Sequence, residues 1–528
     1  MSHPYSGSRL KVAEGWIWNQ HLNRLFVVSL HKAKMRGKLP QAEQILSDMM
    51  EMGAPQKLHK IVVSYQLQRF MCRLRQKAMT IRIDENRRYL IILYENSLLS
   101  HLDHTISNNC SEMTKKVLIQ AKQAALPSGL ADDVLIEVEG GYITKVTSNA
   151  THAEFQAAKQ SSPDAEFHET DLVVAGFVDI HTHGVGGNDE LLEYWLYPEF
   201  SSSRVVKYGT TSIVASITFP KDDTKNIDDV IGTLVPMIGK PFPNRAVIDG
   251  IHAEGPIVAD LGGLVPGENQ MPVEDFTRLV DKMGSALKVM TISPSMDSAS
   301  GFSRMKVLKE RNVTISIGHD RNATEDQING AFRLGTEESP CHVTHIFNVQ
   351  SFHHRDMGIA NFSCFSGFPN LPEFEGLVEP TVEVVGDLLH VHPLVIQLIL
   401  KAKHWSKIAF ITDSFLEPSA DHSISYGGRQ LEVARVKSNC CPRVVLKGTK
   451  TMAGSCTTMI AMFQYLVNVF RVPIDQASQM CSANPARITK LKNIGSIGSG
   501  YRADLLLLNK DLSLKKTIIH GDVAFEEK

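Results

Sequence analysis

The chain has 528 residues, 43% of them hydrophobic and 21% charged, with a formal net charge of -2 at pH 7 and a sequence pI near 6.9. So balanced a charge gives no general attraction to nucleic acid or to an anionic membrane, and an anionic ligand has to be met locally. Length and composition describe an ordinary globular protein with a full core, large enough for one catalytic domain with attachments.

The N-terminal stretch "MSHPYSGSRLKVAEGWIWNQ" lacks the apolar core of a secretory signal, and no later run keeps about eighteen uncharged apolar residues together. The eight cysteines show no paired zinc-type spacing. They are expected to be reduced thiols in a cytoplasmic protein with no membrane partner. "QAEQILSDMMEMG" and "KIVVSYQLQRFMCRLRQKAM" carry apolar residues at helical spacing, which predicts a helical extension over residues 1–115. Its "AEQILSDMMEMGAP" resembles one pentatricopeptide unit, but a solenoid needs about three copies and no second is present, so no nucleic-acid partner is expected.

From Val117 the pattern changes to short alternating runs. "DVLIEVEGGYITKVTS" has the Gly-Gly turn of a hairpin, and "SGYRADLLLLNKDLSLKKTIIHGDVAF" at the far end looks similar. Residues 116–172 and 488–528 are therefore expected to build one small β-sandwich domain from both flanks. Between them, over 173–487, eight short apolar strands alternate with helical stretches: "VVAGFVDIH", "GTTSIVASIT", "AVIDGIHAEGP", "LKVMTISP", "VTISIGH", "CHVTHIF", "TVEVVG" and "KIAFITDS". That alternation predicts a (β/α)8 TIM-like barrel, whose chemistry sits at the strand C-termini.

Those termini collect His181, His183, Glu254, His319, His345 and Asp413. His181 and His183, two apart on a strand, point to the same side and can grip one ion. Burying so many ionisable groups together is costly unless an ion compensates them. Imidazole and carboxylate suit a divalent metal, with zinc the first choice and iron also compatible.

"GFVDIHTHG", "GIHAEGP", "SIGHDRNAT", "THIFN" with "FHHRDMG", "ITDS", "TMAGS" and "SANPARI" together resemble, in order, the signatures of N-acetylglucosamine-6-phosphate deacetylases of the amidohydrolase superfamily. The resemblance runs from about residue 117 to the end. It implies deacetylation of N-acetyl-D-glucosamine 6-phosphate, with Glu254, His319 and His345 on the main metal, His181 and His183 on a second, and Glu254 bridging. No lysine stands where many other amidohydrolases carry a carbamylated one. Asp413 would be the catalytic aspartate, taking a proton from water and delivering it to the amine. Substrate contacts would come from Leu264, Asn348, Val349, Arg355, His390, Met452, Ala453 and Gly454, with backbone amides at Asn348 and Val349 sharing the phosphate. Arg355 would reach the site from a neighbouring subunit, implying a homodimer.

Some positions depart from the family pattern. Leu264 and Val265 replace an Ala-His pair, losing one polar contact, and "NVQSFHH" is one residue short before Arg355. Leu388 replaces a glycine whose backbone freedom a bulkier residue is not expected to match. These changes keep open an alternative, a related amidohydrolase with another N-acyl substrate, and beyond it a non-catalytic relative.

Overall fold

The computed structural model describes residues 115–186, 197–219, 224–420, 423–426, 429–434 and 442–527, and the backbone of four short strands nearer the N-terminus. Those four lie in a unit of their own, Met1–Met113. In it β1 (Ile17–Asn19) pairs antiparallel with β2 (Arg24–Phe26), and β3 (Met79–Asp84) with β4 (Tyr89–Tyr94). The two stretches expected to be helical lie outside the described residues, apart from Met79, which opens β3.

The second unit, Thr114–Lys528, begins with β5 (Lys116–Leu126), β6 (Gly129–Glu139), β7 (Tyr142–Thr147) and β8 (Glu166–Ala175). Glu139 pairs with Tyr142 across Gly140 and Gly141, both at positive φ (59° and 83°), as a two-residue hairpin of the primed type requires. The run "VVAGFVDIH" divides into two strands. Val173–Ala175 close β8, and after Gly176 the chain enters β9 (Phe177–Thr182). A Cβ at Gly176 would collide with the Thr211 side chain, so this break needs glycine.

With β10 (Thr210–Ile217), β11 (Val247–Glu254), β12 (Leu287–Ile292), β13 (Thr314–Ile317), β14 (His342–Val343), β15 (Thr381–Val385) and β16 (Ile408–Ile411), β9 forms an eight-stranded parallel sheet in sequence order. Its strands are buried almost throughout, as a parallel sheet covered by helices demands. The first and last strands meet: Asp413 N–H donates to the His181 carbonyl (2.8 Å), and Thr412 Oγ1 donates to Asp179 Oδ2 (2.6 Å). The helix Val273–Met283 shows how the outer layer docks. Phe276, Leu279, Val280 and Met283 recur at helical spacing and are buried, Glu274 and Asp275 occupy the positive first turn, and Gly284 ends the helix at φ 53°.

After β16 come four antiparallel strands, β17 (Ile424–Tyr426), β18 (Arg429–Ala434), β19 (Arg443–Leu446) and β20 (Met452–Ser455). Phe415, Leu416, Ile424, Tyr426 and Val265 share their apolar core. The chain finishes in β21 (Leu505–Leu508), β22 (Leu514–Ile519) and β23 (Asp522–Glu526), which join the flank strands in one seven-stranded sheet of order β23-β22-β21-β8-β5-β6-β7. Both ends of this unit thus supply strands to one sheet.

A buried ion network couples that sheet to the barrel. Arg502 donates through both terminal nitrogens to the Asp249 carboxylate of β11 (3.0 and 2.9 Å) and through Nε to Asp504 (2.7 Å). Ser212 of β10 also donates to Asp249 (2.6 Å). Burial alone would lower the guanidinium's pKa, but Asp504 and Asp249 outweigh it and raise the pKa above the ordinary value. The described cysteines Cys341, Cys364 and Cys481 are buried free thiols, with burial pushing Cys341 up to about 12, Cys364 to about 11 and Cys481 also upward, so none of these three is poised as a nucleophile. No described helix is long and apolar enough to cross a membrane.

Arg502→Ala strands two buried carboxylates, and the expected loss is about 3–5 kcal/mol. A urea midpoint lowered to that extent is the check; an unchanged midpoint would show that water replaces the guanidinium without cost.

Candidate metal centre

Glu254 is the last residue of β11, and four imidazoles turn toward it. His319 Nε2 lies 3.0 Å and His345 Nε2 3.2 Å from its Oε1, His183 Nε2 3.1 Å from its Oε2, and His181 Nε2 3.5 Å from Oε1. His181 is on β9 and His183 one residue past it, so the two-residue spacing does deliver both rings to one carboxylate. His319, His345 and Asp413 each stand two residues beyond the ends of β13, β14 and β16. All three take positive φ (53°, 25° and 48°), a left-handed step that costs about 1–3 kcal/mol per residue and needs surrounding structure to hold it.

That support is visible behind three of the four rings. His319 Nδ1 meets the Asp260 carbonyl at 2.7 Å, which can only accept, so Nδ1 carries the proton and Nε2 faces Glu254. His183 stacks on Phe415 (4.5 Å between centroids, 11° between planes), with the Tyr426 hydroxyl 3.5 Å from Nδ1. His181 Nδ1 lies 2.6 Å from Glu383 Oε1, and the same oxygen accepts the backbone N–H of His345 (3.0 Å). Glu383, within "TVEVVG", was not singled out in the sequence; a charged residue in the middle of an otherwise apolar barrel strand was the available signal.

The electrostatics favour positive charge here. Burial opposes charge on His181, but Glu383, Glu254 and Asp413 outweigh it and hold the imidazole well above its ordinary pKa. Burial likewise works against ionised Glu254, yet His181 and its fellow histidines keep the carboxyl well below the usual range. His181 Nε2 and Glu254 Oε2 are buried in the cluster close to oppositely charged neighbours, but neither makes a well-aligned hydrogen bond among the described residues. Two triads, His181–His183–Glu254 and Glu254–His319–His345, bring one ligand atom each within 4.8 Å of one another and share Glu254. Orphaned lone pairs, imidazole donors and a shared carboxylate fit two adjacent divalent ions. A further group, His181–His252–Glu383, meets the same spacing but fits poorly. Both His252 nitrogens are engaged, Nδ1 with the Ile180 carbonyl (2.9 Å) and Nε2 with Thr291 Oγ1 (2.9 Å), and burial, with His181 beside it, pulls its pKa down to about 3.

Asp413 Oδ1 stands 3.5 Å from His183 Nε2 and 3.7 Å from His181 Nε2, at the edge of the cluster. His390, its side chain only 4% exposed, is held through Nδ1 by Asp387 (2.7 Å). Burial lowers His390, but Asp387 outweighs that with help from Asp413 and against Arg443, leaving it above the ordinary value. Arg443 Nε is itself buried without a partner among the described residues.

The expected substrate positions divide. Gly262 and Gly263 lie against Val349 and Ala453, so the loop that ends in buried Leu264 is brought to the "NVQ" turn and the "MAG" strand. Asn348 needs correcting: its backbone N–H donates to the His345 carbonyl (3.0 Å) within a turn and is not free for an anion. The Val349 N–H, at φ 53°, is left without an acceptor among the described residues. Leu388 also overturns its expectation. It adopts φ 63°, the left-handed conformation assumed to need glycine, while Asp387 Oδ1 accepts from Leu389 and His390 N–H (2.9 and 2.8 Å) and fastens the turn. Arg355 sits on an exposed stretch, and no contact links it to the cluster in its own chain among the described residues. Of the glycines after His183, Gly184 and Gly186 are described, and Gly187 lies outside the described residues.

The amidohydrolase family model matches residues 172–524. The chain belongs to the amidohydrolase family. Among similar amidohydrolases, the N-acetylglucosamine-6-phosphate deacetylase of Bacillus subtilis (strain 168) is 26% identical over 79% of this chain and 99% of its own length. The human protein of the same name is 24% identical over 67% of this chain and 84% of its own. Among solved structures, a mutant N-acetyl-D-glucosamine-6-phosphate deacetylase from Mycobacterium smegmatis, in complex with N-acetyl-D-glucosamine-6-phosphate, superposes with a TM-score of 0.64 at 25% identity. That match covers 78% of this chain and 99% of the other.

A Cβ at Gly454 (φ 159°) would drive into the Phe415 ring, which backs His183, and approach the Asp413 carbonyl at 2.9 Å. Gly454→Ala is expected to cut hydrolytic turnover by roughly 10²-fold, the cost of an ångström-scale misplacement. Steady-state kinetics on the folded variant decide it, and wild-type kcat would show that Phe415 yields without moving His183.

Proposed function

We propose that this amidohydrolase removes the acetyl group from N-acetyl-D-glucosamine 6-phosphate, giving D-glucosamine 6-phosphate and acetate. The observation that carries the reading is the pair of triads sharing Glu254, with the Asp413 carboxylate 3.5 Å from His183 Nε2. The two deacetylases similar to it over most of its length, and the substrate-bound relative, supply the substrate.

Glu254, His319 and His345 would hold one divalent ion, and His181 and His183, with Glu254 shared, a second; zinc is the first choice and iron also suits the donors. Such ions supply Lewis acidity, which makes water nucleophilic near neutral pH and polarises an acyl oxygen. Asp413, standing beside both triads, accepts the proton of the attacking water. It then hands that proton to the nitrogen as the C–N bond breaks, so a neutral amine and acetic acid form, and the acid ionises to acetate by releasing its proton to solvent. His390, with Nδ1 tied to Asp387, turns Nε2 toward the substrate and orients the acetamide or a ring hydroxyl. The loop with Leu264 and the strand Met452–Gly454 would wall the sugar.

The phosphate needs cations. Arg355 is exposed and unattached to its own site, as suits a residue lent to the neighbouring subunit of a homodimer. Its planar fork matches phosphate oxygens. Arg443, whose charge bears on His390, is a further cation on the same chain. The Val349 N–H would share the anion. The protein would work in the cytoplasm. A second reading, another N-acyl substrate, is favoured by Leu264 and Val265, both buried and apolar where the family pattern carries an Ala-His pair.

Acetate release from N-acetyl-D-glucosamine 6-phosphate, the unphosphorylated sugar and the galactosamine isomer separates the two. Fastest release from N-acetyl-D-glucosamine 6-phosphate is expected, and preference for an unphosphorylated or different N-acyl compound would overturn the substrate. Asp413→Asn is expected to keep its metal content and lose turnover by about 10²–10⁴-fold. Full activity in that variant would remove Asp413 from the proton transfer.

A further inference from the structure

We propose that Glu383 is the positioning residue that makes the His181–His183 side of the cluster able to hold an ion. Its side chain and that of His181 are wholly buried, and Oε1 lies 2.6 Å from His181 Nδ1. The carboxylate cannot swing away. Oε1 also accepts the His345 backbone N–H (3.0 Å), and Oε2 faces His342 Nε2 at 3.1 Å, with His342 Nδ1 in turn 2.8 Å from Thr381 Oγ1. Glu383 is therefore fixed from three directions and fixes His181 in turn.

A carboxylate on Nδ1 keeps the proton there, so the Nε2 lone pair of His181 is directed into the cluster and made more basic. The other ligands are supported differently. His319 leans on the Asp260 carbonyl, and His183 on Phe415 and the Tyr426 hydroxyl. Neither depends on the charge of Glu383. His345 touches Glu383 only through its backbone, so the Glu254–His319–His345 triad keeps its three side-chain donors when that charge is removed. The dependence is thus one-sided: loss of the Glu383 charge weakens the site that contains His181 and spares the other. If Glu383 were only a buried partner of His342, its loss would lower stability without distinguishing the two sites.

This inference rests on the two-ion reading above, and the test separates them. The full-length chain is stripped of metal and titrated with zinc, with metal content per chain measured after dialysis and cobalt absorption as a second readout. Wild type is expected to bind two ions. Glu383→Gln is expected to keep one at wild-type affinity, which also reports an intact fold, and to bind the second about 10–100-fold more weakly. Glu383→Asp, which retains the charge but withdraws it by one methylene from His181 Nδ1, serves if the glutamine variant does not fold, and is expected to weaken the same single ion. Two ions at wild-type affinity in either folded variant, or equal weakening of both, overturns the role of Glu383. A wild-type chain that binds no ion overturns the metal reading itself.

Discussion

The buried carboxylate of Glu254 is the constraint around which the rest is arranged. Taking an ionised carboxyl out of water costs several kcal/mol unless opposite charge and hydrogen bonds compensate it. Here the compensation comes from four imidazole nitrogens within 3.0–3.5 Å. They are carried by β9 and by the ends of β13 and β14, which are distant in sequence from β11. Only a closed parallel barrel delivers all those ends to one mouth. Closure itself is local to the site, since the same Thr412–Asp179 and Asp413–His181 bonds that join the last strand to the first also hold Asp413 beside the histidines.

Backbone strain follows from that arrangement. His319, His345 and Asp413 all pass through the left-handed region, and so do Phe347 and Val349, which is β-branched and rarely found there. Each such step turns a side chain back over the mouth after the strand has ended. The cost is tolerated where hydrogen bonds fix the result, as the Asp260 carbonyl does for His319 and Ser455 N–H does at the Asp413 carbonyl (2.7 Å). Leu388 belongs to the same class. The Asp387 carboxylate, bonded to two N–H groups and to His390, supplies what a glycine would otherwise have made unnecessary.

The eight barrel strands were legible because each is a short apolar run ending in a polar residue, and the gathering of histidines around Glu254 because they stand at the ends of those runs. Less was visible wherever contacts cross the barrel. Glu383 reads in sequence as one polar residue in "TVEVV"; its partners His181 and His342 are 202 and 41 positions away. The split at Gly176 was hidden since Val173 to Val178 is an unbroken apolar run, and the close approach of Thr211 that requires the glycine comes from a residue distant in sequence. "MTIRIDENRRYLIILY" was passed over in a region read by helical spacing, though its β-branched and aromatic residues flank a polar turn, and β3 and β4 form there. Leu388 differs in kind, because the left-handed region is only disfavoured for leucine and the Asp387 hydrogen bonds hold it there.

The chemistry of the site and its selectivity are built on different elements, and the two touch at few points. The proposed metal donors stand on barrel strand ends, whereas the proposed sugar-facing positions lie on the 262–265 loop, the 347–350 turn and the antiparallel strands after β16. Where they touch, glycine permits it. Gly262 lets its loop close on Val349, a Cβ there reaching Val349 Cγ2 at 2.8 Å and His319 Cε1 at 3.9 Å, and Gly454 lets β20 lie on Phe415 behind His183. Substitutions beside these glycines, such as Leu264 or Met452, can reshape the sugar wall without displacing a ligand histidine, whereas a change at the glycines moves both together. That asymmetry lets the donor set and Asp413 stay intact while the surrounding wall departs from the family pattern. On the proposed reading it also places any change of substrate in the loops and leaves bond cleavage to the barrel.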